Sequence, residues 1–162
     1  MNNFFQLYVD LLKYDRFLQK NGTNLRDQDQ EKYRKLLNYG VKLSDHVHWQ
    51  QKVDYLNLMK NFVDLEINGK QFVNKFYKLH ESNEEIVKML ETDIEQLNTL
   101  EPNPESFGFT EWTSEIYLAC DEFYSDFQPQ DQVEFAFARD QENLRTFVAD
   151  VIPQIQKFFN EE

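Results

Sequence analysis

Apolar residues recur along most of this chain at steps of three and four, the spacing that places side chains on one face of an α-helix. The first helix predicted from this spacing ends at Asn21-Gly22, since glycine readily adopts the left-handed conformation that follows many helices. This pattern predicts a first helix that begins after Asn3, a residue type that caps helix N-termini, and carries Phe4, Leu7, Leu11, Tyr14 and Leu18 on its apolar face.

The same spacing predicts further helices along the chain. Their predicted starts are Asp27 or Asp29, Ser44 or Asp45, Ser82 or Asn83, Thr110 and Asp140. Gly40 and Asn68-Gly69 are predicted ends, and residues 70–79 are predicted as a separate segment with one apolar face. Residues 132–137 alternate as a strand would, but no partner strand is evident, so a loop or a short helix is expected there.

Taken together, these elements predict an all-α fold, a compact bundle of about six or seven helices. We expect a single domain, in which residues 1–45 form a helical extension packed on a bundle of residues 46–162. A lone cysteine, Cys120, excludes an internal disulfide, and the N-terminus has neither a basic leader region nor an apolar run of membrane-spanning length. The expected protein is soluble and cytoplasmic.

Charge divides the chain into two unequal halves. Residues 1–80 carry 13 Lys and Arg against 9 Asp and Glu, whereas residues 81–162 carry 4 against 20. Residues 91–134 contain 12 acidic residues and no basic one. Such a field repels nucleic acid and anionic membranes and attracts cationic surfaces. We therefore expect a basic protein partner, and neither nucleic acid nor membrane.

Signals for an enzyme or a metal site are weak in the sequence. His46 and His48 are two residues apart, so on a helix their side chains point about 200° apart and share a metal poorly. Both are expected near a helix start, and His80 is expected as a partly cationic group at a helix C-terminus. No Glu-x-x-His pair occurs, and Cys120 is expected to be a buried, inert thiol. The sequence predicts no enzyme, no cofactor and no metal. A helical enzyme with a hidden pocket around His46, His48 and Trp49 is the remaining alternative.

The acidic region has a more specific arrangement. On a helix that begins at Thr110, the residues Glu111, Glu115 and Glu122 fall on one exposed strip, and Asp126 lies just beyond it. Tyrosines 117 and 124 lie along a neighbouring strip. Carboxylates beside tyrosines suit a Lys- and Arg-rich cleft, such as the phosphate-holding cleft of a nuclease. A solvated face that only aids solubility is the alternative.

Three segments resemble the colicin-like bacterial immunity proteins. They are YLNLMKNFVDLEINGKQFVNKF from Tyr55 to Phe76, EIYLACDEFYSD from Glu115 to Asp126, and RDQENLRTFV from Arg139. The resemblance spans roughly residues 50–160. It implies a small helical antitoxin that blocks the basic active site of a toxin, often an RNase acting on tRNA. It also implies that Asp121, Tyr124 and Asp126 lie in or near the binding surface.

The sequence thus predicts an acidic helical binding protein that neutralises a basic partner, a nuclease-type bacterial toxin. An adaptor or assembly factor for another basic protein surface is the alternative. The predicted partner-binding residues are Glu111, Glu115, Asp121, Glu122, Tyr124 and Asp126.

Overall fold

The computed structural model describes residues 4–101, 103–123 and 139–159. This part of the chain forms eight α-helices and no β-strand, which confirms the predicted all-α fold. The helices are α1 (Phe4–Lys20), α2 (Leu25–Gln28), α3 (Gln30–Gln50), α4 (Lys52–Val63), α5 (Gly69–Thr92), α6 (Ile94–Asn98), α7 (Phe109–Asp121) and α8 (Gln141–Gln156), with a 3₁₀ turn at Pro104–Ser106. The segment 132–137 and the predicted loop 126–131 lie outside the described residues.

Side-chain caps explain where most of these helices begin. At each of five helix starts, a side-chain oxygen of the N-cap residue accepts a hydrogen bond from a backbone N–H of the first turn. These N-caps are Asn24, Asp29, Asn68, Asp93 and Asp140. The predicted starts at Asp29 and Asp140 are confirmed.

The prediction that Gly40 ends a helix is wrong, because α3 continues through it to Gln50. A Cβ at Gly40 would lie 3.2 Å from the Tyr8 hydroxyl oxygen of α1. The small residue therefore serves the close approach of α1 to α3.

The predicted helix start at Ser44 or Asp45 is also wrong, because α3 runs through it as one helix of 21 residues and the apolar stripe from Val53 to Val63 lies on the separate helix α4. Helix α3 thus spans residues 45 and 46, where the expected extension meets the bundle.

The prediction that Asn68-Gly69 ends a helix is also wrong. Helix α4 ends at Val63, and Leu65 turns the chain with a φ of 66°. Asn68 instead begins α5, through a reciprocal capping box with Gln71. Helix α5 then runs without a break past Ser82, so the separate helix predicted to start there does not exist.

Two hydrophobic clusters form the core, and α3 and α5 connect them. The first cluster is built mainly from α4, the N-terminal half of α5, α7 and α8, and the second from α1, α3, the C-terminal half of α5 and α6. Large fully buried side chains of the first include Tyr55, Phe62, Phe72, Phe76 and Phe109, and the second includes Phe5, Leu43 and Leu97. No helix of the described residues is long and apolar enough to cross a membrane.

Asp45 of α3 caps α7 from outside that helix. The residue before α7 is Gly108, with a φ of 86° and no side chain to cap with. The Asp45 carboxylate, only 2% exposed, accepts hydrogen bonds from Gly108 N at 2.9 Å, Thr110 N at 2.8 Å and Thr110 Oγ1 at 2.5 Å. The prediction that Thr110 caps this helix is therefore wrong. Thr110 instead donates hydrogen bonds to a cap that α3 supplies.

We expect Asp45→Ala to lower the free energy of unfolding by about 2–4 kcal/mol, because it leaves buried donors of α7 without their charged acceptor. Urea denaturation measures this change. The matched control is Asp140→Ala, which removes an exposed N-cap at α8 and should lower the free energy of unfolding by only about 1 kcal/mol. Equal losses in the two variants would contradict the role assigned to Asp45.

Candidate functional site

The predicted partner-binding residues lie on and just after α7. Glu111, Glu115 and Asp121 are exposed on this helix, and the half-buried Glu122 follows its last residue. Tyr124 and Asp126, also predicted, lie outside the described residues. Within the described residues, the predicted acidic strip is therefore a surface of one helix.

The outward surface of α7 combines acids with an apolar side chain. We call this surface the acidic face of α7 and define it as Glu111, Ser114, Glu115, Leu118 and Asp121, which are all exposed. Leu118 lies between the acids and is 57% exposed. No Lys or Arg occurs on α7. The opposite side of the helix is anchored in the first cluster by the buried residues Ile116, Ala119 and Cys120.

Two of the predicted residues are engaged by neighbouring elements. The Tyr77 hydroxyl of α5 donates a hydrogen bond to Asp121. Burial and the Asp121 carboxylate together raise the pKa of Tyr77 far above its ordinary value. Glu122 pairs with Arg139 at 2.5 Å, and its backbone oxygen accepts from Arg139 N at 2.7 Å. Both acids thus fix the C-terminal end of α7, whereas Glu111 and Glu115 lie on its open side.

A groove lies on the surface between α3 and the N-terminal end of α7. Its volume is about 530 Å³, and its walls include Val41 and Lys42 of α3, Phe107, and Glu111 and Ser114 of α7. The Lys42 ammonium lies 5.0 Å from the centre of the Phe107 ring. The groove therefore presents an apolar floor next to the first acid of the acidic face.

A group of polar side chains, three of them buried and two half-buried, lies where the two hydrophobic clusters meet. We call it the polar junction and define it as His48 of α3, Tyr55 of α4, and His80, Asn83 and Glu84 of α5. The Tyr55 hydroxyl lies 2.8 Å from His48 Nδ1, and Asn83 Nδ2 donates to the same hydroxyl at 3.2 Å. On the other side of the ring, His48 Nε2 lies 2.8 Å from Glu84 Oε1.

The hydrogen bonds of the polar junction define one consistent arrangement. Because the Asn83 amide donates to Tyr55, the Tyr55 hydroxyl can in turn donate to His48 Nδ1. His48 then carries its proton on Nε2 and donates it to the Glu84 carboxylate. Burial lowers the pKa of His48, although Glu84 and Asp45 oppose the shift. The ring is therefore neutral at pH 7, and each hydrogen bond has one donor and one acceptor.

His80 lies in the middle of α5, so its predicted place at a helix C-terminus is wrong. Its ring centre is 4.9 Å from that of His48 and 4.6 Å from that of Tyr117 on α7. Burial, with the neighbouring His48 ring, lowers the pKa of His80 to about 4. His80 is therefore neutral at pH 7, not partly cationic as the sequence predicts.

The remaining candidate residues of the sequence analysis are the two histidines of α3 and Cys120. His46 and His48 lie in the second half of α3, not at a helix start. Their rings contact different groups, as their spacing predicts: His46 packs edge-on against Phe5, with ring centres 6.0 Å apart. Cys120 is buried, and burial raises the pKa of its thiol to about 12, which fits an inert thiol.

Sequence reasoning missed the polar junction. The available signal was the four-residue spacing of His80 and Glu84, which places both on one face of a continuous helix. The prediction of a break at Ser82 assigned them to two helices and removed that signal. His48 could not be joined to them from sequence, because its contact with α5 is tertiary.

Comparisons of this chain with family models, curated proteins and solved structures find no match. The functional assignment therefore depends on the surfaces and clusters described above.

The neutral histidines give stability a defined pH dependence. An unfolded histidine binds its proton near pH 6.5, whereas His80 in the folded protein does so only near pH 4. Between these values the unfolded state binds more protons, so stability present above pH 6.5 is lost as the pH falls towards 4.

We expect the stability of the His80→Gln variant to fall less steeply with pH. The variant lacks a group that, between pH 6.5 and 4, is neutral in the folded protein and protonated in the unfolded chain. Urea denaturation at several pH values between 7 and 4, with a chelator present, measures the slope for both proteins. Identical slopes for the wild type and the variant would contradict a depressed pKa at His80.

Proposed function

We propose that this protein is a non-enzymatic binding protein that inhibits a basic partner, a nuclease-type bacterial toxin. The acidic face of α7 docks in the cationic cleft with which such a nuclease holds phosphates. The observation that carries this proposal is the exposed Leu118 between exposed carboxylates on a helix with no basic residue.

The acids of this face supply attraction and orientation. Glu111 and Glu115 are one turn apart and both exposed, so their carboxylates project from the same side of α7. Residues 90–138 of the sequence contain no Lys or Arg, and Lys42 of α3 lies across the groove from Glu111. Complementary charge raises association rates, and carboxylates accept paired hydrogen bonds from arginine.

Leu118 adds an apolar side chain to the acids of this face, which supports its use as an interface. An exposed leucine contributes nothing to solubility, whereas interfaces place apolar side chains at a centre that becomes desolvated on binding. The groove beside Glu111 continues the apolar area towards Phe107. A partner seated on α7 therefore meets charge at the edge and apolar surface in the middle.

Anchoring of α7 supports a rigid binding surface. Asp45 fixes its first turn, and Tyr77 and Arg139 hold its C-terminal end through Asp121 and Glu122. A surface held in this way loses little conformational entropy on binding. The resemblance to colicin-like immunity proteins points to the same class of partner.

We expect Glu111→Lys/Glu115→Lys to abolish capture of the partner. The wild-type and variant proteins are used as baits in a lysate of the native cell, and captured proteins are identified by mass spectrometry. The captured protein is then purified, and its affinity for both baits is measured at rising NaCl. Like charges facing each other across an interface cost several kcal/mol, so binding should weaken by about 100-fold or more.

The matched control is Glu85→Lys/Glu95→Lys, which makes the same charge change with one mid-helix acid and one first-turn acid on α5 and α6. It should leave the affinity within about threefold, because distant surface charges are screened by salt. Leu118→Ala should weaken binding by about tenfold if this leucine lies at the centre of the interface.

A captured protein with nuclease activity that the wild type inhibits supports the proposal. A captured basic protein without such activity replaces the toxin with the adaptor alternative. Binding that is insensitive to salt, or retained by the reversed bait, contradicts docking through the acidic face.

A further inference from the structure

We propose that His48, His80 and Glu84 form a binding site for a divalent transition metal ion such as Zn²⁺. The site lies between α3 and α5 and is independent of the partner proposed for α7. It uses residues that the binding function leaves unexplained.

The three side chains converge on one point. A ligand atom from each residue lies within 4.8 Å of the other two. His80 and Glu84 are one turn apart on α5, so the helix itself holds them on the same side. His48 approaches from α3, and its side chain is fully buried. The set therefore joins α3 to α5, which are also linked by a hydrogen bond from Ser44 Oγ to Glu84 Oε1 at 3.4 Å.

The types of ligand fit zinc and its neighbours in the transition series. Two imidazoles and one carboxylate, with a fourth position open to water, are a common zinc ligand set. Imidazole ligands also accept Co²⁺ and Ni²⁺, whereas Mg²⁺ and Ca²⁺ prefer oxygen ligands only. The expected selectivity is thus for zinc-type ions over alkaline-earth ions.

The distance between His48 and Glu84 requires only a small adjustment, and a His80 ligand atom at the upper limit of 4.8 Å moves inward by roughly 1.5 Å. Ligand atoms at 2.0–2.2 Å from a tetrahedral zinc ion lie roughly 3.3 Å apart. His48 Nε2 and Glu84 Oε1 are 2.8 Å apart, so an ion bound by both would increase this distance by about 0.5 Å. The Glu84 side chain is 40% exposed, which leaves it room to move outward and gives the ion a path from solvent.

The surroundings of the two rings support coordination. Tyr55 holds His48 Nδ1, and Asn83 holds Tyr55, so Nε2 is aimed at Glu84. Such outer partners orient ligating histidines in metal sites generally. Among the described residues, no group hydrogen-bonds to either ring nitrogen of His80. That imidazole is partly buried and lacks a hydrogen-bonding partner that a metal would have to displace.

Metal binding changes the protonation of His48 in a defined way. The ion takes the place of the Nε2 proton, so the ring proton moves to Nδ1 and is donated to the Tyr55 oxygen. No net proton is released, because the ring keeps its one proton on Nδ1 and His80 binds as the neutral imidazole that it already is at pH 7, while the Tyr55 hydroxyl hydrogen turns away from His48. The Glu84 carboxylate, which accepted a hydrogen bond from His48 Nε2–H, becomes the anionic ligand.

The test is titration of the metal-free full-length protein with Co²⁺ and Zn²⁺. Visible absorption of bound Co²⁺, calorimetry and thermal denaturation follow the binding. We expect one ion per chain, an absorption spectrum of low-coordinate Co²⁺ that Zn²⁺ displaces, a raised melting temperature, and no response to Mg²⁺. His80→Gln and Glu84→Gln should each weaken Zn²⁺ binding by about 100-fold or more, at least as much as the loss of an outer partner.

His46→Gln is the matched control, because it removes a histidine of α3 that lies outside the cluster. It should bind both ions as the wild type does. The proposal is overturned if the wild type binds Co²⁺ and Zn²⁺ no more tightly than the His80→Gln and Glu84→Gln variants. It is equally overturned if His46→Gln weakens binding as much as they do.

Discussion

The neutral ring of His48 is the contact on which the arrangement of this protein depends. It lies where two hydrophobic clusters meet, and it joins α3 to α4 through Tyr55 and to α5 through Glu84. Apolar packing alone does not specify the register between the two long helices, whereas separating the fully buried His48 ring from Tyr55 or Glu84 would cost free energy by leaving a buried nitrogen without its partner. The polar junction thus fixes α3 against α5 in one arrangement.

This arrangement positions the surface that we assign to partner binding. Asp45 lies one turn before His48 on α3 and caps α7 through Thr110. Tyr117 of α7 packs on His80 of the junction. The exposed acids of α7 therefore stand on a helix whose start and whose inner side are held by the same two helices that the junction aligns. The acidic face of α7 and the polar junction are therefore connected through α3 and α5.

The sequence predicted the fold class because helical periodicity and caps such as Asp29 and Asp140 are local signals. The predicted helix ends were wrong where the same residue type occurs in two different structural settings. Gly40 permits the approach of Tyr8, and Asn68 begins a helix instead of ending one. The exposed positions of Glu111 and Glu115 could be predicted from their spacing along α7, but the pairing of Glu122 with Arg139 could not. The polar junction also escaped prediction, since His48 and Glu84 are 36 residues apart in sequence.

Nitrogen-15 NMR of the histidine rings in chelator-treated protein tests the role of His48 most directly. The account predicts a single neutral tautomer with the proton on Nε2, which persists below the pH at which a free histidine binds its proton, because burial lowers the pKa of His48. Replacing Tyr55 by Phe should then change the chemical shift of Nδ1. A His48 ring that averages between tautomers, or that binds a proton near pH 6.5 as a free histidine does, would contradict the account.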